Sequence, residues 1–297
     1  MEVLLKNLVQ NTELFLSQEN TDIVLETIDW GSVQSLTNSI QYINLIGSEI
    51  QSTLLQPRSI AIVAWLVSDN ETDMTSKKQA VNSFINPLQD IECQYKKYSI
   101  VFRPDTSIQY NNTEIRYNNQ VLCRFLIQGT AYMPLFGLIQ KEEKRKGTNS
   151  LPMFPLIIPK TKGRPFGVIP EENFAKATNR GDVDVGFTME MQASLGKVSN
   201  PKIIDNKTGE FIEVVVDLDL GDSLIVSTVS GNKYVTLIRN GSEIDMLKAV
   251  TKQSTMSLML HVGSNDFTVT AASNPTNLES VLTFSPLWVE IQEAEVY

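Results

Sequence analysis

Asp184–Ser194 reads DVGFTMEMQAS, and its alternation is unbroken. Val185, Phe187, Met189, Met191 and Ala193 fall on one face, and Asp184, Gly186, Thr188, Glu190, Gln192 and Ser194 on the other. A period of two with one apolar face predicts a half-buried β-strand. FIEVVVDLDL at 211–220 repeats the pattern, with Val214, Val216, Leu218 and Leu220 on one side and Glu213, Asp217 and Asp219 on the other. Further strands are predicted at 223–228, 233–238, 256–260, 266–272 and 280–291. Turn pairs punctuate them: Asn200-Pro201, Thr208-Gly209, Gly221-Asp222, Gly231-Asn232, Asn240-Gly241, Gly263-Ser264 and Asn274-Pro275. Short strands at this spacing predict a β-sandwich or jelly roll over residues 179–297.

Moving towards the N-terminus, six of the twelve prolines lie between Pro134 and Pro170, around the charged run KEEKRKG at 141–147. Proline removes ladder donors, so 141–178 reads as a connector rather than regular sheet. Residues 1–140 read as an α+β domain, with strands at 11–17, 22–28, 40–46, 58–67, 91–103, 113–117 and 121–132. One helix is expected at about 76–86. Ser76 and Gln79 form a capping-box pattern, Ala80, Val81, Phe84 and Ile85 supply an apolar face, and Asn86-Pro87 ends it. The fold class is therefore mainly β, with one helix in the N-terminal domain and a sandwich at the C-terminus.

Composition narrows the function. The 297 residues are 42% hydrophobic and 20% charged, the profile of a folded chain. The longest apolar run, Ile60–Val67, is too short to span a bilayer, so no membrane insertion is expected. The opening MEVLLKNLVQ lacks the uninterrupted apolar core of a signal peptide, which predicts synthesis in the cytoplasm without secretion. Net charge is −9, and only 141–178 is basic, with eight Lys/Arg against four Asp/Glu. An acidic chain without a basic stripe argues against sequence-specific nucleic-acid binding.

A single histidine, His261, excludes HExxH and three-histidine metal sites within one chain. It is expected at a turn. Cys93 and Cys123 are too few for a disulfide scaffold or a zinc site and are expected in the core. The pairs Asp182/Asp184 and Asp217/Asp219 share faces opposite the apolar ones, so they are expected in solvent rather than as a buried acid pair. Asp217, Asp219 and Asp222 lack the glycine and terminal glutamate of a calcium loop. No nucleotide-binding glycine motif is present. The expectation is no enzyme, no catalytic residue, no cofactor and no metal.

As a run, residues 179–285 resemble the C-terminal domain of the distal tail protein family of siphophages and related prophages. The elements that carry the resemblance are Gly181-Asp182, Gly196-x-Val198-x-Asn200-Pro201, Thr208-Gly209-Glu210, Leu220-Gly221-Asp222, the Asn240-Gly241 turn and Leu260-x-x-Gly263-x-Asn265. The 76–87 helix, YKKYSI at 95–100 and Leu151–Pro159 resemble the family's ring domain. The resemblance implies a virion protein of the tail tip, assembled in the host cytoplasm. It implies a homo-hexameric ring closed by the N-terminal domains, with galectin- or carbohydrate-module-like sandwiches outside. Such a ring joins the tail tube protein to the tail-tip hub and receptor-binding proteins and leaves a DNA channel. Interface residues are expected on exposed strand edges in 1–140, including the 113–127 region. Two alternatives stand beside it: a carbohydrate-binding module, with Trp288 and Tyr234 as the aromatics free to stack on sugar, and a baseplate subunit of a contractile tail or tailocin.

Overall fold

The computed structural model describes residues 1–42, 46–110, 121–146, 151–152, 167–168 and 174–291. The chain divides into two compact units, Met1–Ile139 with Trp288–Tyr297, and Gln140–Leu287.

In the first unit the strands are β1 (Glu2–Asn7), β2 (Thr12–Ser17), β3 (Ile23–Asp29), β4 (Ser35–Ile40), β5 (Glu49–Leu55), β6 (Arg58–Val67), β7 (Ile91–Tyr95), β8 (Tyr98–Pro104), β9 (Gln109–Tyr110), β10 (Leu122–Ala131) and β11 (Gly137–Leu138). All but β4 and β5 form one sheet in the order β11-β8-β7-β1-β2-β3-β6-β10-β9. A further β8–β10 pairing through Gly129↔Pro104 and Thr130↔Arg103 bends it into a barrel-like closure. Closure places alternate residues inside, among them Val3, Leu5, Ile60, Ile62, Leu66, Ile91, Ile100, Phe102, Phe125 and Ile127. The expected 91–103 strand is two strands, because Lys96 takes a positive φ of 53° and turns the chain between β7 and β8. The 113–117 strand lies outside the described residues.

The helix α1 spans Glu71–Phe84, a turn and a half earlier than its sequence pattern suggests. Its cap is Asn70, whose side chain accepts from the Asp73 N–H at 2.9 Å. Ser76 lies inside the helix and donates to the Thr72 carbonyl instead. Met74, Val81 and Phe84 are buried, while Ala80 is exposed. Asn7 ties the helix end to the barrel: its amide donates to the Phe84 carbonyl and Gln89 Oε1, and its Oδ1 accepts from the Val9 and Gln10 N–H groups.

The second unit opens with β12 (Glu142–Lys146), β13 (Leu151–Pro152), β14 (Gly167–Val168) and β15 (Phe174–Asn179). It continues with β16 (Phe187–Ala193), β17 (Val198–Asp205), β18 (Phe211–Glu213), β19 (Asp217–Leu218), β20 (Ser223–Ser227), β21 (Tyr234–Arg239), β22 (Ser242–Asp245), β23 (Gly263–Ser273) and β24 (Leu278–Phe284). One sheet runs β12-β24-β16-β20-β21-β22, and the other β15-β23-β17-β18 with β19 on β17. Both sheets feed one core, where Phe187 of β16 meets Phe267 of β23 at 5.1 Å between ring centres. This is the expected sandwich.

Three sequence expectations need correction here. Both ends of the 141–178 stretch are sandwich strands, β12 on β24 and β15 on β23; the charges that read as a loop belong to an edge strand, where charge is favoured. Asn200-Pro201 is no turn but a kink within β17: Asn200 takes φ 50° and its N–H bonds the Val216 carbonyl, where the partner strand changes from β19 to β18. The 211–220 strand is broken into β18 and β19, and Leu220 is exposed although its phase predicted burial. Asn240-Gly241 does form the predicted tight turn, both residues at positive φ between the paired Arg239 and Ser242.

Candidate assembly surface

The residues tested for chemistry in the sequence are engaged structurally. Asp184 Oδ2 lies 2.7 Å from His261 Nδ1, and its Oδ1 accepts from the Val262 N–H. Burial pushes this carboxyl up, but the His261 and Val262 hydrogen bonds outweigh it and hold it below the usual carboxylate range. Cys93 and Cys123 are both buried and unpaired, and burial raises both thiols, which keeps them protonated.

The aspartates weighed for calcium are held by cations of the chain itself. Asp222, nearly buried, accepts from Arg239 Nε at 2.8 Å, from Arg239 Nη2 at 2.6 Å and from the Asp219 N–H. Lys197 pairs with Asp217 at 2.9 Å. The Arg239 hydrogen bonds depress the Asp222 carboxyl, and Ser199 and Lys197 depress that of Asp217. Carboxylates lowered by folding stabilise the folded state above their unfolded pKa, about 3.9 for aspartate, and that contribution is lost as pH falls through the folded value. Thermal scans from pH 7 to 2 should therefore show a level melting temperature down to about pH 5 and a fall below it. Asp222→Asn should melt lower at pH 7, with the gap from the parent closing towards pH 2; a gap that is independent of pH would contradict this.

Trp288 is not an exposed aromatic. It is 6% exposed, edge-on to Tyr98 at 5.4 Å in the core of the first unit, so it has no free face for a sugar. Phe187, Phe267 and Phe284 are core as expected.

What remains unsatisfied in the first unit is a ribbon. Among the described residues β4 and β5 pair only with each other, from Ser35↔Leu55 to Ile40↔Glu49 with a bulge in β5, and every residue of both strands is exposed. Leu36 faces Leu54 across the ribbon and they are 49% and 60% exposed; Ile50, on the opposite face, is 65% exposed. Residues 35–55 contain a single charge, Glu49. An isolated two-stranded hairpin is marginal in water, and a ribbon with a single charge, exposed leucines and isoleucines and both edges open invites pairing with another chain. The sandwich edges are opposite in character: β12 is EEKRK, and β22, SEID, carries Glu243 and Asp245.

The arm's roots are rigid. Gly31 takes φ +62°, and a Cβ there would lie 2.1 Å from the Ser59 carbonyl oxygen, so only glycine fits. The Gln56 N–H closes the base on the Gln34 carbonyl. The sequence reading placed a strand at 40–46 and missed the pair at 35–40 and 49–55; the long uncharged run around Gly47-Ser48 was the available signal. Of the 113–127 region expected at an interface, 113–120 lies outside the described residues. Leu122–Ile127 is interior to the sheet, paired with β6 throughout and with β9 at Phe125 and Leu126.

Residues 180–288 match the model of the siphovirus-type tail component, C-terminal domain. The match falls on the same stretch as the order of turns from Gly181 to Asn265. No curated protein sequence matches the chain. Among solved structures, SPP1 Dit (gp 19.1), described as a paradigm of hub adsorption apparatus in phages infecting Gram-positive hosts, is similar at 12% identity and TM-score 0.64, over 96% of this chain and 98% of that one. A component of the phage P2 baseplate, in its activated conformation with calcium, is similar at 9% identity and TM-score 0.52, over 95% and 97%. At these identities the likeness is one of fold, and it extends through both units rather than through the tail-component domain alone.

Proposed function

We propose that this is a non-enzymatic structural subunit of a phage tail tip, acting as a distal tail or baseplate hub. Six copies close into a ring through the first unit, with a central channel for DNA. The ring joins the tail tube protein to tail-tip and receptor-binding proteins.

The observation that carries this reading is the β4–β5 arm. A head-to-tail contact that closes on itself covers an exposed patch on every copy and leaves none to aggregate. The arm is such a patch. The β12 and β22 edges of one sandwich sheet are charged and suited to staying unpaired, which favours a ring contact in the first unit. Light scattering and negative-stain imaging of the purified protein should find a ring of about six copies. A monomer at every concentration, with and without a tail tube partner, would overturn the proposal.

A further inference from the structure

After Leu287, the last residue of the second unit, the chain returns to the first unit as a short strap, Trp288–Ile291. Trp288 exchanges two backbone hydrogen bonds with Phe136, at 2.8 and 2.9 Å. Arg58, fully buried, donates from Nη2 to the Val289 carbonyl and, at 3.2 Å, to Glu290 Oε1. Its guanidinium carbon lies 4.7 Å from the Phe136 ring centre. Burial holds the Arg58 pKa below its ordinary value, with the Glu290 carboxylate acting against it.

Both legs of the arm meet this strap. The outgoing leg leaves β3 through Trp30 and Gly31. Trp30 packs edge-on against Phe136 at 5.4 Å and against Tyr95 at 5.7 Å. The returning leg enters β6 at Arg58 itself, beside the Ser59 carbonyl that abuts Gly31. One leg therefore reaches the strap through Phe136, and the other grips it directly.

We propose that the strap and the arm are a coupled device: docking of Trp288–Glu290 holds the arm's two roots in place, and withdrawal of the strap loosens them. Coupling of this kind is carried by packed side chains and hydrogen bonds with two arrangements, strap in and strap out. It gives the chain end that emerges from the tail-component domain a hold on the element that assembles the ring. The assembly meaning rests on the proposed function; the coupling itself does not.

Amide hydrogen exchange on the full chain tests it, read at Gly31 and Gln56 at the arm's roots. Trp288→Ala is expected to speed exchange there at least tenfold, and Trp288→Phe to restore most of the protection. Met74→Ala, a buried truncation on α1 in the same unit, controls for general loss of stability. Should Trp288→Ala fail to fold, Glu290→Ala removes only the carboxylate from Arg58 and is expected to speed the same amides about threefold. Faster exchange confined to 136 and 288–291, or no greater at the roots than in Met74→Ala, would overturn the coupling. The readout needs no ring, so it separates failure of the coupling from failure of the assembly reading.

Discussion

In the proposed ring, Leu36→Glu combined with Leu54→Lys is expected to shift the protein to folded monomers, with association weakened at least tenfold. The two positions face each other on one side of the ribbon. Opposite charges placed there pair across the strands, so the arm itself keeps its register. What is lost is the apolar surface offered to the neighbour. Burying a leucine is worth about 1.5–3 kcal/mol, and every 1.4 kcal/mol is about tenfold in affinity. Leu36 and Leu54, 49% and 60% exposed, have about half of that burial still to gain, so together they account for about one to two orders of magnitude before the cost of desolvating the new charges is counted. Sedimentation of parent and variant over the same concentration range measures the change. An unchanged ring would mean that the arm is not the contact.

The same arm explains where sequence reading succeeds and fails. In β16 the core takes every second residue, so Phe187, Met189 and Met191 announce themselves. In β4 and β5 neither face is buried among the described residues, so no core imposes an alternation on them. The pattern that reveals a strand is written by the core it packs on. Where that core is absent the pattern is absent too, and the strand expected at 40–46 overlaps β4 only at Ile40. The helix start was misplaced for a related reason: Glu71 and Asp73 favour a first helical turn, but the apolar spacing begins to repeat only further along.

The strap was illegible for a different reason. Ser285-Pro286 follows β24 and marks a break, but the apolar Leu287, Trp288 and Val289 beyond it resume a strand-like run, so 280–291 reads as one strand of the sandwich. Its division between two units depends on contacts with Arg58 and Phe136, at separations of more than 150 residues, which no local pattern encodes. Arg58 itself looked like a strand residue at the edge of an apolar run. Its burial became visible only once the chain end lay over it.

Phe187→Ala should separate the roles of the two units. Phe187 is fully buried, tilted against Phe267, and its backbone exchanges hydrogen bonds with Thr228. Removing a ring from such a site costs about 3–5 kcal/mol, the lost transfer energy plus a cavity that β-sheet neighbours cannot collapse to fill. For a unit of this size that is roughly a 10 °C fall in its melting temperature. Calorimetry should show that fall in one transition only, leaving the barrel's transition in place. Ring formation at room temperature should persist, because the arm, its glycine root and the sheet that carries it all lie in residues 1–139. If the ring is lost while the first unit still melts as in the parent, the sandwich contributes to closure and the charged β12 and β22 edges do not keep it out of the contact. If the ring survives, closure rests on the first unit alone, and the proposed function leaves the second unit for contacts with other proteins.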